Sequence, residues 1–305
     1  MHSITKKLLS LLGCQFDSKN AAYSLREDGA CAGLQSTEHI RITAKPGGTG
    51  IDILVSSKAK GETLYIPACI TRSDIEDAVR NDFYIKAGAE ITIMAGCGIH
   101  TDGTCKSQHS GAHRFFVEKG AKVHYIERHI GIGAGGGLRA IHPKTQIELG
   151  KNSEMQVDTA QMEGVDSANR DTTARLAQGA KLILREKIMT CGNQTALSDF
   201  QVALNGAGAR ADLVSRCIAK GSSRQSFRSQ MDGNAACSGH SECDAIIMDA
   251  AQVSAAPELL ARHPEARLIH EAAIGKIAAE QILKLMTLGL TQQQAEAKII
   301  EGFLK

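Results

Sequence analysis

Five segments decide the fold: GAEITIMAG from Gly88, GAKVHYIER from Gly120, GKNSEMQVDTA from Gly150, GAKLILREK from Gly179 and GARADLVSRC from Gly208. Each opens on a glycine turn and continues as an alternating apolar run, and consecutive glycines lie 32, 30, 29 and 29 residues apart by subtraction. Self-similarity at such a spacing marks a repeat in which each unit buries its apolar face against its neighbours. The period-2 alternation of Val123 with Tyr125, or of Leu182 with Leu184, makes the repeating element a strand. No amphipathic helix separates these strands, which excludes helical repeats and a βαβ layout. The signature dipeptides of a propeller are also missing. The expected fold class is mainly β, a β-helix or solenoid with short terminal helical segments.

Composition agrees. Hydrophobic residues make up 43% of the 305, yet 4 Tyr, 7 Phe and no Trp mean that the core rests on small aliphatic side chains. Thirty Gly against 5 Pro leave many positions free to turn and few that interrupt strand pairing. Thirty-five Lys and Arg against 33 Asp and Glu give a formal net charge of +2, so nothing in the overall charge attracts nucleic acid or anionic lipid. No run approaches the ~18 consecutive apolar residues of a membrane span. Nine cysteines without a secretion signal point to a reducing cytoplasm, where thiols stay free for packing or metal.

Residues 1–38 form a mixed segment with one amphipathic helix near Ile4 to Leu12. The start, MHSITKKLLSLLGC, imitates a lipoprotein signal, but its apolar run contains a serine and is shorter than the ~7–15 residues of such a leader. Residues 39–270 form the β-helix, and residues 271–305 a helical hairpin. Ile274, Ile277, Ala278, Gln281, Ile282 and Leu285 sit at helical spacing, and Gly289 stops the first helix. Thr291 to Gln294 reads as a capping box for a second helix carrying Ala295, Ile299, Ile300 and Phe303. Two such helices cannot bury both apolar faces between themselves, so one face must lie on the solenoid or on a partner protein.

Several constellations carry potential chemistry. GIGAGGG at Gly131 to Gly137 contains G-x-G-x-x-G, but Pro143 closes the segment where a dinucleotide site needs a helix, which leaves a flexible solenoid corner. His240-x-Glu242 lacks the P-C-x-x-C of a deaminase, and His270-Glu271 has Ile274 where a second zinc-binding histidine belongs. GCGIHTDGTCKSQHSGAH gathers Cys97, His100, Cys105, His109 and His113, a donor set suited to zinc or iron, although a polar loop held by its own hydrogen bonds is the favoured reading because lone His and Cys more often serve structure. Cys237, His240, Glu242 and Cys243 lie about one repeat before His270 and Glu271, so one period returns the second group to nearly the lateral position of the first. Thiolate, imidazole and carboxylate together accept iron and sulfide. Against this, Cys243 beside Ala245 to Met248 is also what a small core residue looks like.

SECDAIIMD, then Pro257, then IHEAAIGKIAAEQILKLMTLGLTQQQAEAKIIEGF resembles the C-terminal half of the SufB/SufD family, scaffold subunits of iron–sulfur cluster assembly. EGVDSANRDTTARL and EKIMTCGNQTALSDF resemble its shorter stand-alone members, so the similarity runs from about His39. It implies a right-handed parallel β-helix, dimerisation through that β-helix, and docking of a SufC-like ABC-type ATPase on the C-terminal helices. Residue by residue, the family's cluster-assembly cysteine falls on Cys243, and the histidine and glutamate of its H-E-A motif fall on His270 and Glu271. SufD-type subunits tend to lack that cysteine, so the site is similar to that of SufB. The acidic residue that precedes the histidine in many SufB proteins is Ile269 here, and the large N-terminal helical extension is missing, which implies a minimal scaffold paired with itself. Cys191 and Cys217 match no motif of the family's second sulfur-handling cysteine.

The resemblance therefore implies a non-enzymatic, cytoplasmic homodimer carrying a transient iron–sulfur cluster, supplied by a sulfur donor and emptied by apo-protein acceptors. ATP hydrolysis belongs to the partner, since no G-x-x-x-x-G-K-[ST] occurs. Whether a flavin binds is not legible. Two alternatives remain: a SufD-like structural partner without its own cluster, and a β-helix enzyme acting on carbohydrate. The scarcity of aromatics for sugar stacking argues against the second.

Overall fold

The computed structural model describes residues 3–304; Met1, His2 and Lys305, which fall in the expected terminal segments, lie outside the described residues. Alternating runs demand a face to bury, and the chain supplies it by winding into a β-solenoid of about 8 turns with 57% of residues in strands. Each turn contributes one strand to each of two facing sheets. The first sheet runs Ala30–Gln35, Ala22–Glu27, Lys60–Ile70, Glu90–His100, Lys122–Ile132, Glu154–Glu163, Lys181–Thr190, Arg210–Ala219, Ser238–Ile247 and Arg267–Gly275. The second runs Ile40–Ala44, Ile51–Val55, Glu76–Ile85, Ser107–Val117, then the short strands Arg139–Ile141 and Lys144–Leu149, then Ser167–Leu176, Thr195–Leu204, Arg224–Gly233 and Gln252–Ala261. Pro143 separates the two short strands because it cannot donate to the ladder. From Ala22–Glu27 onward every pairing is parallel except the two hairpins that close the N-terminal end, Ala22–Glu27 with Ala30–Gln35 and Ile40–Ala44 with Ile51–Val55. Strand pairing thus extends past 39–270 on both sides.

Because the ladders stay in register, inward side chains stack in rows. One such row is Phe83, Phe115, Ile147, Ala174, Val202, Met231 and Leu259, in which Phe83 and Phe115 lie face to face with ring centroids 4.4 Å apart. The corners stack too. Gly88, Gly120, Gly179 and Gly208 all have φ between 65° and 74°, the left-handed region that a tight turn demands. The reading at Gly150 needs correction: the residue in that role is Asn152 (φ 55°), two positions later, since asparagine also tolerates this conformation. The GIGAGGG corner is packed rather than flexible. A Cβ at Gly133 (φ 105°) would stand 2.1 Å from the Thr101 carbonyl oxygen.

Three short helices complete the chain. α1 (Ser3–Leu12) lies on the outward face of the first sheet, where Leu8, Leu12 and Cys14 are buried against Leu25 and Cys69. Gly96 and Gly98 make room for it, since a Cβ there would meet Leu12 and Leu8. α2 (Ala279–Thr287) and α3 (Gln292–Phe303) form the expected hairpin, with Gly289 at φ 93° and the Thr291–Gln294 capping box intact. Ile274 is in the last strand, opposite Ala245, so the first helix begins later than its helical spacing predicts. α3 packs Ile299, Ile300, Phe303 and Leu304 on Ile218 and Ile246 of the first sheet. α2 leaves Leu283, Met286 and Leu288 exposed. Among the described residues no helix is long and apolar enough to cross a membrane.

The Asn152 corner yields a direct test. Asn152→Val, which forces a β-branched residue into the left-handed region, should lower stability by about 1–2 kcal/mol, whereas Asn152→Gly should leave the thermal melt essentially unchanged. Equal melts for both variants would contradict the register assigned to this turn.

Candidate functional site

The C-terminal end of the solenoid positions the residues that sequence comparison favours. Ser238–Ile247 and Arg267–Gly275 are the last two strands of the first sheet, paired so that Ser241 faces His270, Glu242 faces Glu271 and Cys243 faces Ala272. Successive side chains on a strand point to opposite faces. Cys243 and His270 therefore both turn inward, on neighbouring strands and two residues out of step, about 8 Å apart at Cα from strand spacing and rise. Glu271 turns outward and shares its face with His240 and Glu242. The three expected ligands are thus divided between the two faces of one pair of strands.

On the inner face Cys243 is fully buried. Burial, then the charge of Glu186, pushes its thiol up to about 12, so it is protonated at neutral pH. His270 is half-buried, burial and then neighbouring His240 lower its pKa, and its Nδ1 has no hydrogen-bond partner among the described residues although it is buried. On the outer face one ligand atom from each of His240, Glu242 and Glu271 lies within 4.8 Å of the others. His240 Nδ1 donates to Asp212 at 2.8 Å, and its Nε2 stands 3.7 Å from Glu271 Oε2. That hydrogen bond raises the His240 pKa and turns Nε2 toward the carboxylates. One nitrogen and two carboxylates form a set that accepts a divalent metal such as iron. Cys237 is buried in the core, apart from both groups.

Most of the Cys97 to His113 stretch is strand, with only residues 101–106 forming a connecting turn. Cys97 lies on Glu90–His100, and His109 and His113 lie on Ser107–Val117, all three buried. They line a partly open cavity of about 50 Å³ together with Asn81, Glu127 and His129. Hydrogen bonds engage the imidazoles: His109 Nδ1 donates to Asp77 at 3.0 Å, and His113 Nδ1 to the Tyr125 hydroxyl at 2.7 Å. Burial lowers the His113 pKa to about 4, which keeps that ring neutral. His100 Nδ1 donates to the Thr71 carbonyl at 3.1 Å, and Cys105 is exposed in the following turn. Neither joins the cavity.

Sequence reasoning missed an interior row of polar residues that ends at Cys243. Glu127, Thr159, Glu186, Ser215 and Cys243 occupy successive inward positions of the first sheet. Buried Arg170, from the second sheet, bridges Glu127 at 2.6 Å and Glu186 at 3.3 Å. Ser198 and Ser215 each donate to Glu186 at 2.7 Å, and Tyr125 donates to Glu127 at 2.9 Å. Burial opposes ionisation of Glu127, but Arg170 and then His129 outweigh it and hold the carboxyl well below its usual range. The available signal was the phase of the alternation: Glu127 continues the inward run Val123, Tyr125, and Glu186 continues Leu182, Leu184.

The chain matches the family model described as SUF system FeS cluster assembly, SufBD core domain, over residues 71–303. It is 30% identical over 243 residues to an iron–sulfur cluster assembly SufBD family protein of Archaeoglobus fulgidus, covering 79% of this chain and 64% of that one. A like-named protein of Methanothermobacter thermautotrophicus is 28% identical over 249 residues, 80% of this chain and 59% of that one. A third, from Pyrococcus horikoshii, is 32% identical over 190 residues, 62% of this chain and 57% of that one. The chain thus spans about six tenths of the length of these relatives.

Removing Arg170 would leave two buried carboxylates without their cation. Arg170→Met should cost about 3–5 kcal/mol in denaturant unfolding. The wild type should lose stability on acidification: the depressed Glu127 pKa contributes stability that is present above the unfolded carboxyl value and lost as pH falls through the folded one. A variant as stable as the wild type would show that this ion pair is not what holds the two sheets' polar strip.

Proposed function

The chain belongs to the SufBD family of iron–sulfur cluster assembly proteins, and from that premise we propose that it is a scaffold on which iron and sulfide are brought together at the open C-terminal end of the solenoid. The observation that carries this reading is that Cys243 and His270 turn to the same inner face of adjacent strands, with the buried His270 Nδ1 left without a hydrogen-bond partner among the described residues. A neutral nitrogen and a thiol on adjacent strands are ligands that iron recruits, displacing the thiol proton as it binds. Only Ala272, the smallest chiral side chain, lies beyond Cys243 in its row. Iron and sulfide are cargo here, held by few ligands so that the cluster can leave. Glu271, with His240 and Glu242 on the outward face of the same strands, is a nitrogen and carboxylate set suited to receiving iron before thiolate takes it.

Two partners complete the proposal. Gln252–Ala261 and Arg267–Gly275 end their sheets with one edge unpaired, and the core residues Leu259 and Leu268 near them are only partly buried. A second copy joined there would pair those edges and cover the site. Leu283, Met286 and Leu288 give α2 an apolar outward face while α3 holds the hairpin on the solenoid, and this is the surface proposed to dock a SufC-like ABC-type ATPase. A sulfur donor and apo-protein acceptors would use the assembled complex in turn. Nine free cysteines suit the reducing cytoplasm that this chemistry requires.

The site is tested by iron and acid-labile sulfide per mole of folded protein, measured anaerobically after co-expression with the ATPase. Cys243→Ser, His270→Ala and Glu271→Ala should each lose cluster while keeping a folded melt, and Cys14→Ser should lose none, since a neutral hydroxyl is a poor iron ligand beside thiolate. Undiminished cluster in all three site variants would sink the assignment. Docking is tested separately: Leu283→Glu with Met286→Glu should abolish ATPase pull-down without altering circular dichroism, and retained binding would place the ATPase elsewhere.

A further inference from the structure

His109, Gly111 and His113 occupy consecutive inward positions of Ser107–Val117. Both imidazoles lean over the glycine between them, because a Cβ at Gly111 would stand 3.1 Å from His109 Nε2 and 3.4 Å from His113 Nε2. The missing side chain leaves a space that two ring nitrogens share. That space belongs to the cavity of about 50 Å³ described above, several times the ~10–15 Å³ that one water needs.

Hydrogen bonds fix which nitrogens carry the lone pairs. Asp77 offers a carboxylate, so His109 Nδ1 is the donor in their 3.0 Å bond and Nε2 is the acceptor of the neutral ring. Tyr125 gives its proton to Glu127 at 2.9 Å, so its oxygen accepts from His113 Nδ1 at 2.7 Å, and again Nε2 holds the lone pair. His109 Nε2 has no hydrogen-bond partner among the described residues, although the residue is only 7% exposed. His113 Nε2 meets one donor, the Asn81 amide, at 3.3 Å, beyond the usual length of such a bond. Two buried acceptors thus face one space. The carboxylates behind them are already matched, Asp77 by Arg26 at 2.7 Å and Glu127 by Arg170 at 2.6 Å. A carboxylate directly behind His109, and one behind His113 through Tyr125, is the outer-shell arrangement that orients a metal-binding imidazole and raises its basicity.

We propose that this cavity binds one divalent transition-metal ion of the zinc or ferrous class, with His109 Nε2 and His113 Nε2 as its protein ligands and water in the remaining positions. Imidazole nitrogen suits these ions, whereas magnesium and calcium demand oxygen donors that the two arginine-paired carboxylates do not offer. Cys31 of one N-terminal hairpin and Gly48 of the other are exposed and line the same cavity, which gives the ion a way in. Glu90–His100, which supplies Cys97 to the cavity, stands five strands or about 24 Å from Ser238–Ile247. The ion is therefore distinct from any metal held at Cys243.

Equilibrium dialysis of the full chain against zinc, read as zinc per chain, tests this. Cys243→Ser with Glu271→Ala disables the C-terminal ligands, and this chain should still bind zinc and melt at a temperature that rises as zinc is added. Adding Gly111→Ala, whose methyl fills the shared space on an ordinary strand backbone, should abolish one equivalent of zinc and the metal-dependent rise while leaving the metal-free melt and circular dichroism intact. Tyr125→Phe, which removes the hydroxyl behind His113, should weaken zinc binding by about 10–100-fold. No zinc in the Cys243→Ser, Glu271→Ala chain, or the same affinity with and without Gly111→Ala, would overturn the proposal.

Discussion

Every feature of this molecule depends on one constraint: parallel strands stacked in unbroken register about 4.8 Å apart. Register turns a periodic sequence into rows, so that each inward residue touches the corresponding residue of the turns before and after it. An apolar row such as Phe83 to Leu259 extends the core without any change of pattern. A charged residue at the same phase has no solvent to reach, and must find its counter-charge inside. Arg170 meets that requirement for Glu127 and Glu186 together, with serine hydroxyls taking the remaining lone pairs. Such an arrangement is costly to desolvate, and its presence beneath the row that leads to Cys243 sets the electrostatic surroundings of that thiol.

The same constraint separates the two halves of the candidate site. His270 and Glu271 are neighbours in sequence but face opposite sides of the sheet, one toward Cys243 and the other toward His240 and Glu242. A thin sheet thus presents a soft donor set on its buried side and a hard one on its solvent side, a few ångströms apart through a single layer of backbone. Nitrogen and oxygen donors suit a hydrated divalent metal, and sulfur suits one from which solvent is excluded.

Much of the fold was legible because glycine turns and alternating apolar runs are local signals. The repeat length, the strand character, the α3 capping box and the Gly289 stop could all be read directly. What escaped was whatever depends on which turn stacks on which. Asn152 does the work of a glycine and so shifted the apparent corner to Gly150. Ile274 continues both a strand and a helical pattern, and only its pairing with Ala245 decides between them. Cys97, His109 and His113 looked like part of a polar loop because glycines surround them, yet each takes an inward position on a strand. At the candidate site, Cys243, His270 and Glu271 were singled out by their one-repeat spacing and by family likeness, while their division between faces follows from period-2 alternation applied to His270 and Glu271.

The two ends of the solenoid differ in the kind of edge they offer. Each sheet finishes at both ends in a strand with one unpaired edge, but at the N-terminal end that strand has folded back antiparallel on its neighbour, whereas at the other end it continues the parallel ladder. Parallel and antiparallel edges present their N–H and C=O groups in different spacings, so a chain that added a strand at one end would need a hydrogen-bonding pattern that does not fit the other.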